Sequence, residues 1–511
     1  MDGVYMPEQI RTVKKYGAAE RVFAFVCFVS GYFVLRSFND AGFGATVTVL
    51  LLCAAAATYM SIKESAFKAE SFLFLLVPLS FSSVFILSDD GFIKTLAAVF
   101  IFFALSFYPY FSYGSGRGEF INEMFVFDMI KSVIIMPFSS AAGVFPAAFY
   151  VKREKTNGSG FRAWHVAVGI AAAVIPALAV AQLLCSADRG FESVMRSGLD
   201  FLSHGAFKEI LWFAAGTPFA MYMFGSLYSN GTVKHRGVLT KEQHKTFLSV
   251  ISFIPQAIAY AAVTPLCVLY IVFLSVQAKY YFGGFASNLP DGMTYAEYAR
   301  SGFFELCAVA VINMIVIILL ATFTKKKENG KKTLPLKIYS VVMSCFTLLL
   351  IAVAMSKMIM YINAYGLTRL RVFTSWFMIL LAFAFIFVIV KQISEKFNYF
   401  GCLAAVFAVL FGALCFCDVD GRIAEYNVGA YISGKTEKID MLQLGNLSDS
   451  AIPYIAQLTD PVENRTDEEN RATVYKAKEI LSARKDRTEQ SPNIVHFNFA
   501  RYIADKTAKN Y

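Results

Sequence analysis

Apolar residues in this 511-residue chain gather into blocks of about 17–22 residues, near the length a helix needs to cross a hydrocarbon core about 30 Å thick. No other feature constrains the fold as tightly. Hydrophobic residues make up 57% of the chain and charged residues 16%, where soluble domains carry about 25% charge. A soluble chain of this length shows amphipathic periodicity and more charge. The pattern predicts an all-α polytopic bundle of about eleven transmembrane helices, with a polar C-terminal appendage.

The expected spans are 22–37, 43–62, 71–88, 92–112, 163–185, 208–228, 256–277, 302–322, 338–360, 372–390 and 398–417. Prolines 78, 109, 176, 218 and 265 fall inside or near the ends of these blocks, which lipid-embedded helices tolerate where neighbours satisfy the freed carbonyls. Asp89-Asp90-Gly91, Gly114-Ser115-Gly116 and Asn329-Gly330 read as turns. A basic N-terminus (Arg11, Lys14, Lys15, Arg21) precedes the first block as in a signal peptide, but no small-residue cleavage site follows Val34, so an uncleaved first span is expected.

Residues 132–151 are apolar enough to span, yet Pro137, Gly143 and Pro146 interrupt them. Loop charge arbitrates. If this segment does not cross, one side of the membrane holds about 24 Lys and Arg and the other about 10; if it crosses, the totals become about 16 and 18 and the bias vanishes. Residues 119–151 are therefore expected to be interfacial or re-entrant on the cytoplasmic side. The resulting division is a cytoplasmic N-terminus (1–21), a transmembrane domain (22–417) and an extracytoplasmic helical domain (418–511). Within the last, Thr466-Asp467-Glu468-Glu469 is a capping box opening a helix to about Arg484, with shorter helices at 450–458 and 497–506.

The net charge of +10 lies in short loops, where topology accounts for it, so nucleic acid is not an expected partner. All nine cysteines lie within or at the ends of apolar blocks and none follows Cys417, which leaves the tail no disulfide framework. Five scattered histidines show no zinc spacing, and neither a metal nor a cofactor is expected. Gly114-x-Gly116-x-Gly118 lacks the Lys-Ser/Thr of a phosphate loop. What remains is a set of polar residues at span ends on one face. Asp188 and Arg189 close the fifth span, Arg300 precedes the eighth and Glu305 lies one turn inside it. Lys357 lies near the end of the ninth, Arg369 and Arg371 follow it, and Asp418, Asp420, Arg422, Glu425, Tyr426 and Asn427 follow the eleventh. Charges of both signs at a bundle rim need one another, since each costs several kcal/mol unpaired. They are read either as ion pairs that clamp helix ends and dock the tail, or as a polar cavity opening outward.

Several of these residues sit in recognisable stretches. Phe282-Gly283-Gly284 leading to Leu289-Pro290-Asp291-Gly292-Met293-Thr294-Tyr295-Ala296-Glu297-Tyr298-Ala299-Arg300, then Tyr365-Gly366-Leu367-Thr368-x-x-Arg371 and Asp420-x-x-Ile423-Ala424-x-Tyr426-Asn427, resemble a bacterial membrane-protein family catalogued as domain of unknown function 4173, with a related family numbered 4153. Ser186-Ala187-Asp188 with Phe191 fits as well. The resemblance covers roughly 160–511 and leaves the first four spans generic. It implies a bacterial multi-pass protein of the plasma membrane and carries no activity.

Three functions fit these residues. The first is a non-enzymatic envelope sensor or assembly partner. The second is a transporter or channel with an outward polar cavity, drawing on Glu305, Lys357 and Arg371. The third is an enzyme acting on a lipid-linked substrate at the outer leaflet. Its acid or base would be Asp188, Glu305 or Asp420, and its phosphate clamps Arg300, Arg369 or Arg371. Expected partners are the lipid bilayer and either another envelope protein or that lipid-linked substrate.

Overall fold

A computed structural model of the chain describes residues 16–36, 41–63, 69–114, 129–149, 177, 180–202, 205–232, 251–284, 303–325, 333–462, 466–488 and 494–511. Among these the chain is a polytopic all-α bundle without a strand. The helices run α1 (Ala18–Arg36), α2 (Phe43–Ile62), α3 (Ala69–Phe81), α4 (Val84–Leu87), α5 (Gly91–Gly114), the broken α6 (Lys131–Ala148), α7 (Arg189–Leu202) and α8 (Gly205–Thr232). They continue with α9 (Gln256–Gly284), α10 (Phe303–Phe323), α11 (Leu334–Tyr365), α12 (Arg369–Ile393) and α13 (Tyr399–Phe416). The polar tail adds α14 (Val419–Ile432), α15 (Met441–Gly445), α16 (Ile452–Ile455), α17 (Asp467–Thr488) and α18 (Phe499–Ala508).

Ten described helices are long and apolar enough to cross a membrane: α1, α2, α5, α6 and α8 to α13. The expected span 71–88 is interrupted. It breaks after α3, where Ser82 Oγ donates to the Leu79 carbonyl at 2.7 Å, a local competitor to the helical ladder. The expected span 338–360 is longer, 32 residues and about 48 Å in α11. Residues 163–176 of the expected fifth span lie outside the described residues. In the tail, the capping box forms as read: Glu469 N donates to Thr466 Oγ1 at 3.3 Å and Thr466 Oγ1 to Glu469 at 3.0 Å. Its helix runs on to Thr488.

The chain packs as two compact units. One comprises residues 1–82, 99–116 and 129–236. In it α1 and α8 run antiparallel, with Tyr16 against Tyr228, Phe23 against Phe224 and Phe28 against Phe213. The backbones meet at Gly31 and Gly216, where a methyl on Gly216 sits 2.6 Å from the Gly31 carbonyl oxygen. Without a hydrophobic drive between helices in lipid, small residues that permit such approach hold the pair. Along α8, α6 meets Tyr222, which donates to the Val133 carbonyl, Gly225 at Pro137 and Ala141, Ser229 at Ser139, and Phe224 at Gly143. Phe145 and Phe149 then reach Phe28 in α1.

The other unit comprises residues 83–98, 117–128 and 237–511 and includes the tail. Its membrane core joins α9 to α12 around Leu336, Met343, Leu350, Met378 and Phe385. A buried polar chain ties three of these helices. Tyr270 Oη donates to Asn313 Oδ1 at 2.5 Å and Asn313 Nδ2 to Thr347 Oγ1 at 2.9 Å. Each such bond in a membrane bundle contributes about 0.6–2 kcal/mol. The tail has its own core of Val428, Tyr431, Leu444, Ile455, Leu458 and Ala477.

The glycine contact yields a graded expectation. Gly216→Leu should cost about 1–3 kcal/mol by overpacking the α1–α8 seam. Gly429→Ala, with open space around its Cβ position inside α14, should raise stability by about 0.5–1 kcal/mol. Thermal unfolding in detergent tests both, and equal melting points for the two variants would contradict the packing account.

Candidate functional site

Asp418 opens the site. It takes the left-handed conformation (φ 48°, ψ 67°) that Asp tolerates better than most side chains, turns the chain from α13 into α14, and caps that helix at Gly421 N. Asp420 is thereby fixed in the first turn of α14, where the helix dipole favours a carboxylate. It is fully buried, accepts from Arg369 Nε at 2.7 Å and from Arg369 Nη2, and takes the Ser448 backbone N–H at 2.7 Å. Such a two-point guanidinium–carboxylate fork is among the stronger protein hydrogen bonds. Arg369 begins α12, whose N-cap Thr368 accepts the Arg371 N–H. Its Nη2 also lies 3.9 Å from Asp90 Oδ2, while Asp90 Oδ1 caps α5 at Phe92 N, 2.8 Å away.

Arg371 turns back. Its Nη1 donates to the carbonyls of Tyr365 and Gly366, and its guanidinium lies 4.0 Å over the Tyr361 ring. Gly366, at φ 76°, bends the chain in the left-handed region and leaves room for Asn427 against it. Asn427 then reads the Leu367 backbone twice, accepting its N–H at 2.7 Å and donating to its carbonyl at 2.8 Å. Gln443 donates to the same carbonyl at 2.9 Å. The 365–371 and 420–427 stretches, recognised separately in sequence, are thus one interlocked structure.

A second network continues from the neighbouring acid. Asp89 Oδ1 accepts from Lys94 at 3.2 Å and from Arg501 at 3.1 Å. Arg484, buried on α17, reaches Asp449 at 2.8 Å and Asp505 at 2.6 Å. Asn498, the cap of α18, donates its amide to the carbonyls of Phe85 and Ser88. Among the described ion pairs, Asp89, Asp90, Asp420, Asp449 and Asp505 face Lys94, Arg369, Arg484 and Arg501. Crowding of the acids shows in their titration. Burial and the Asp420 charge push Asp90 up despite Arg369, and burial with Asp89 beside it pushes Asp449 up to about 6.

The other expected residues lie elsewhere. Asp188 caps α7 at Phe191 N, 2.6 Å away. Arg422 pairs with Glu425 at 2.7 Å on an exposed face of α14, and Tyr426 lies beneath Lys435. Lys357 is buried in α11 within the field of Glu305, which is exposed at the start of α10. Arg300 lies outside the described residues. No group of three or more His, Cys, Asp or Glu among the described residues is arranged to hold a metal. Asp89, Asp90, Asp449, Arg484, Asn498 and Arg501 were missed by sequence reasoning. Two adjacent acids closing an apolar block were the available signal, and the turn reading absorbed it.

The titration has a direction. Asp449 holds its proton to about pH 6 when folded and to its ordinary 3.8 when unfolded, so its stabilising contribution is complete below about 3.8 and is lost as pH rises through 6. Asp449→Asn should therefore flatten the pH 4–6 portion of the melting profile. Asp420→Ala, which strands Arg369 and the Ser448 N–H, should cost about 3 kcal/mol, whereas Arg422→Ala should leave the profile unchanged. A wild-type slope retained in Asp449→Asn would refute the assignment.

A family described as domain of unknown function (DUF4153) matches residues 23–458. The match begins within α1, so the first four apolar blocks, generic in sequence, are family structure, and the family shown is 4153. No curated protein and no solved structure matches the chain. It holds both halves of the Arg369–Asp420 fork, whereas α17 and α18 follow it. A multi-pass membrane protein whose family match runs from its first span through Leu458, this chain belongs to the family of that domain of unknown function.

Proposed function

We propose that this protein is a non-enzymatic component of the cell envelope, a sensor or assembly partner whose polar tail is held on the ends of its membrane helices by charge. The observation that carries the reading is how the candidate polar residues are used. Arg369 is held by Asp420 and faces Asp90, Arg371 is folded onto backbone carbonyls, and Asn427 grips Leu367. Groups arranged to clamp a segment suit docking and release better than turnover. A photoreactive side chain in place of Leu442 or Tyr475, both well exposed on the tail, should give discrete protein adducts on living cells, weakened by Arg369→Ala. Absence of adducts at both positions, with an unaltered envelope when residues 430–511 are removed, would overturn the reading.

We further infer that the N-terminus is cytoplasmic and the tail extracytoplasmic, in the plasma membrane. Loop charge supports this if one apolar block does not cross. The ion pairs supply an independent reason. Asp90 lies beside Arg369, so the turns at 88–90 and 366–368 share a side, and an even number of crossings separates them. Seven apolar blocks intervene: α5, α6, the expected span 163–185, α8, α9, α10 and α11. One must stay on its own side, and α6, interrupted by Pro137, Gly143 and Pro146 and broken into short π, α and 3-10 turns, suits that role. A cysteine replacing Leu442 should be modified by an impermeant maleimide on intact cells, whereas modification only after permeabilisation would reverse the orientation.

A further inference from the structure

Helix α18 is built inside out for a helix of a soluble domain. Its buried face is small, consisting of Ala500, Ala504 and Ala508. Its exposed stripe is large: Phe499, Tyr502 and Ile503, 50%, 54% and 38% exposed, ending in Lys506. The spacing i, i+3, i+4, i+7 makes that stripe one face. Phe497 and Ile494, just ahead of the helix, are exposed as well, and Phe497 packs beside Tyr502 with ring centres 6.3 Å apart.

The height of this helix is fixed. Asn498 holds the carbonyls of Phe85 and Ser88, and Arg501 holds Asp89, so α18 begins level with the turn from which α5 enters its apolar run. On either side of that turn Leu87 and Phe92 are exposed, as side chains covered by lipid are. From this geometry we infer that α18 lies in the headgroup layer of the bilayer, its Phe499–Tyr502–Ile503 face set into the acyl boundary and Lys506 reaching up to lipid phosphate. Aromatic rings with one apolar and one polar end favour this zone, and a long lysine stem lets its charge stay in it. An aqueous face at that level has no use for three large apolar side chains. The inference holds for either leaflet, and so does not depend on the orientation or function proposed above.

The experiment uses the full chain in lipid nanodiscs, with native tryptophans 164, 212 and 376 replaced by Phe and a single Trp introduced as Phe499→Trp or, separately, Tyr502→Trp. Tyr475→Trp, on the exposed side of α17, is the aqueous control. At the 5–10 Å depth typical of interfacial helices, lipids brominated at carbons 6 and 7 should quench the two α18 reporters by about half and leave Tyr475→Trp unchanged, with iodide giving the opposite order. Quenching of the α18 reporters by iodide alone would show a water-exposed face and overturn the inference. Quenching by neither agent would show that a protein covers the face, which also overturns it. Should the tryptophan-free background fail to elute as a single species, nitroxide labels at 499 and 502 read by oxygen and nickel accessibility decide between the same outcomes.

Discussion

Arg369 stands where three demands meet. It opens α12, it must neutralise Asp420 at the start of α14, and it must offset Asp90 at the start of α5. Three helix N-termini carry their own positive ends there, and the two Asp carboxylates answer those dipoles while the guanidinium answers the carboxylates. Removing one charge leaves the others desolvated without a counterpart, which costs several kcal/mol. The net stabilisation from such a pair is smaller than its rupture cost, because both partners give up their hydration when the fold forms. Asn427 and Gly366 extend the same logic to uncharged backbone, since any side chain at Gly366 meets the Asn427 amide.

The membrane part was legible because lipid imposes a single rule on composition and length. α2, α5, α9, α10 and α13 start within one residue of their expected positions. The reading lost resolution where hydropathy is uniform but local hydrogen bonding is not, as at Ser82, whose hydroxyl competes with the ladder. The tail helices were legible by a different chemistry, through capping residues such as Thr466. Arg369, Arg371, Asp420 and Asn427 were named from sequence because they stand at span ends. Their partners were not, since nothing local links Asp90 to residue 369 or Ser88 to residue 498. Charge pairing across hundreds of residues leaves no trace in a single sequence beyond the presence of both signs. Asp188 illustrates the converse, an acid at a span end whose task is completed three residues away.

The family match adds an asymmetry. It ends at Leu458, inside the tail core, so the Arg369–Asp420 fork and the Asn427–Leu367 grip belong wholly to the matched region. Arg484, Asn498 and Arg501 follow it. The charge network therefore has a part inside the matched region and a part built from residues beyond it, joined at adjacent acids Asp89 and Asp90. Asp449, pushed up to about 6 by burial and by Asp89, lies inside the match and meets Arg484 beyond it.

The bond from Asn498 to Ser88 joins positions 410 residues apart. Ribosomes make chains from the N-terminus, so the turn at 88–90 is in place long before its partner exists. Until then Asp89 and Asp90 are hydrated, and the helices between them and the tail insert one after another. Closing so long a loop costs only logarithmically more than closing a short one, so thermodynamics tolerates the wait and synthesis order imposes it. α18 is in this sense a clasp fastened last. Its seating on the 88–90 turn requires an even number of crossings among the helices encoded in between, because an odd number would carry the tail to the side away from its acids.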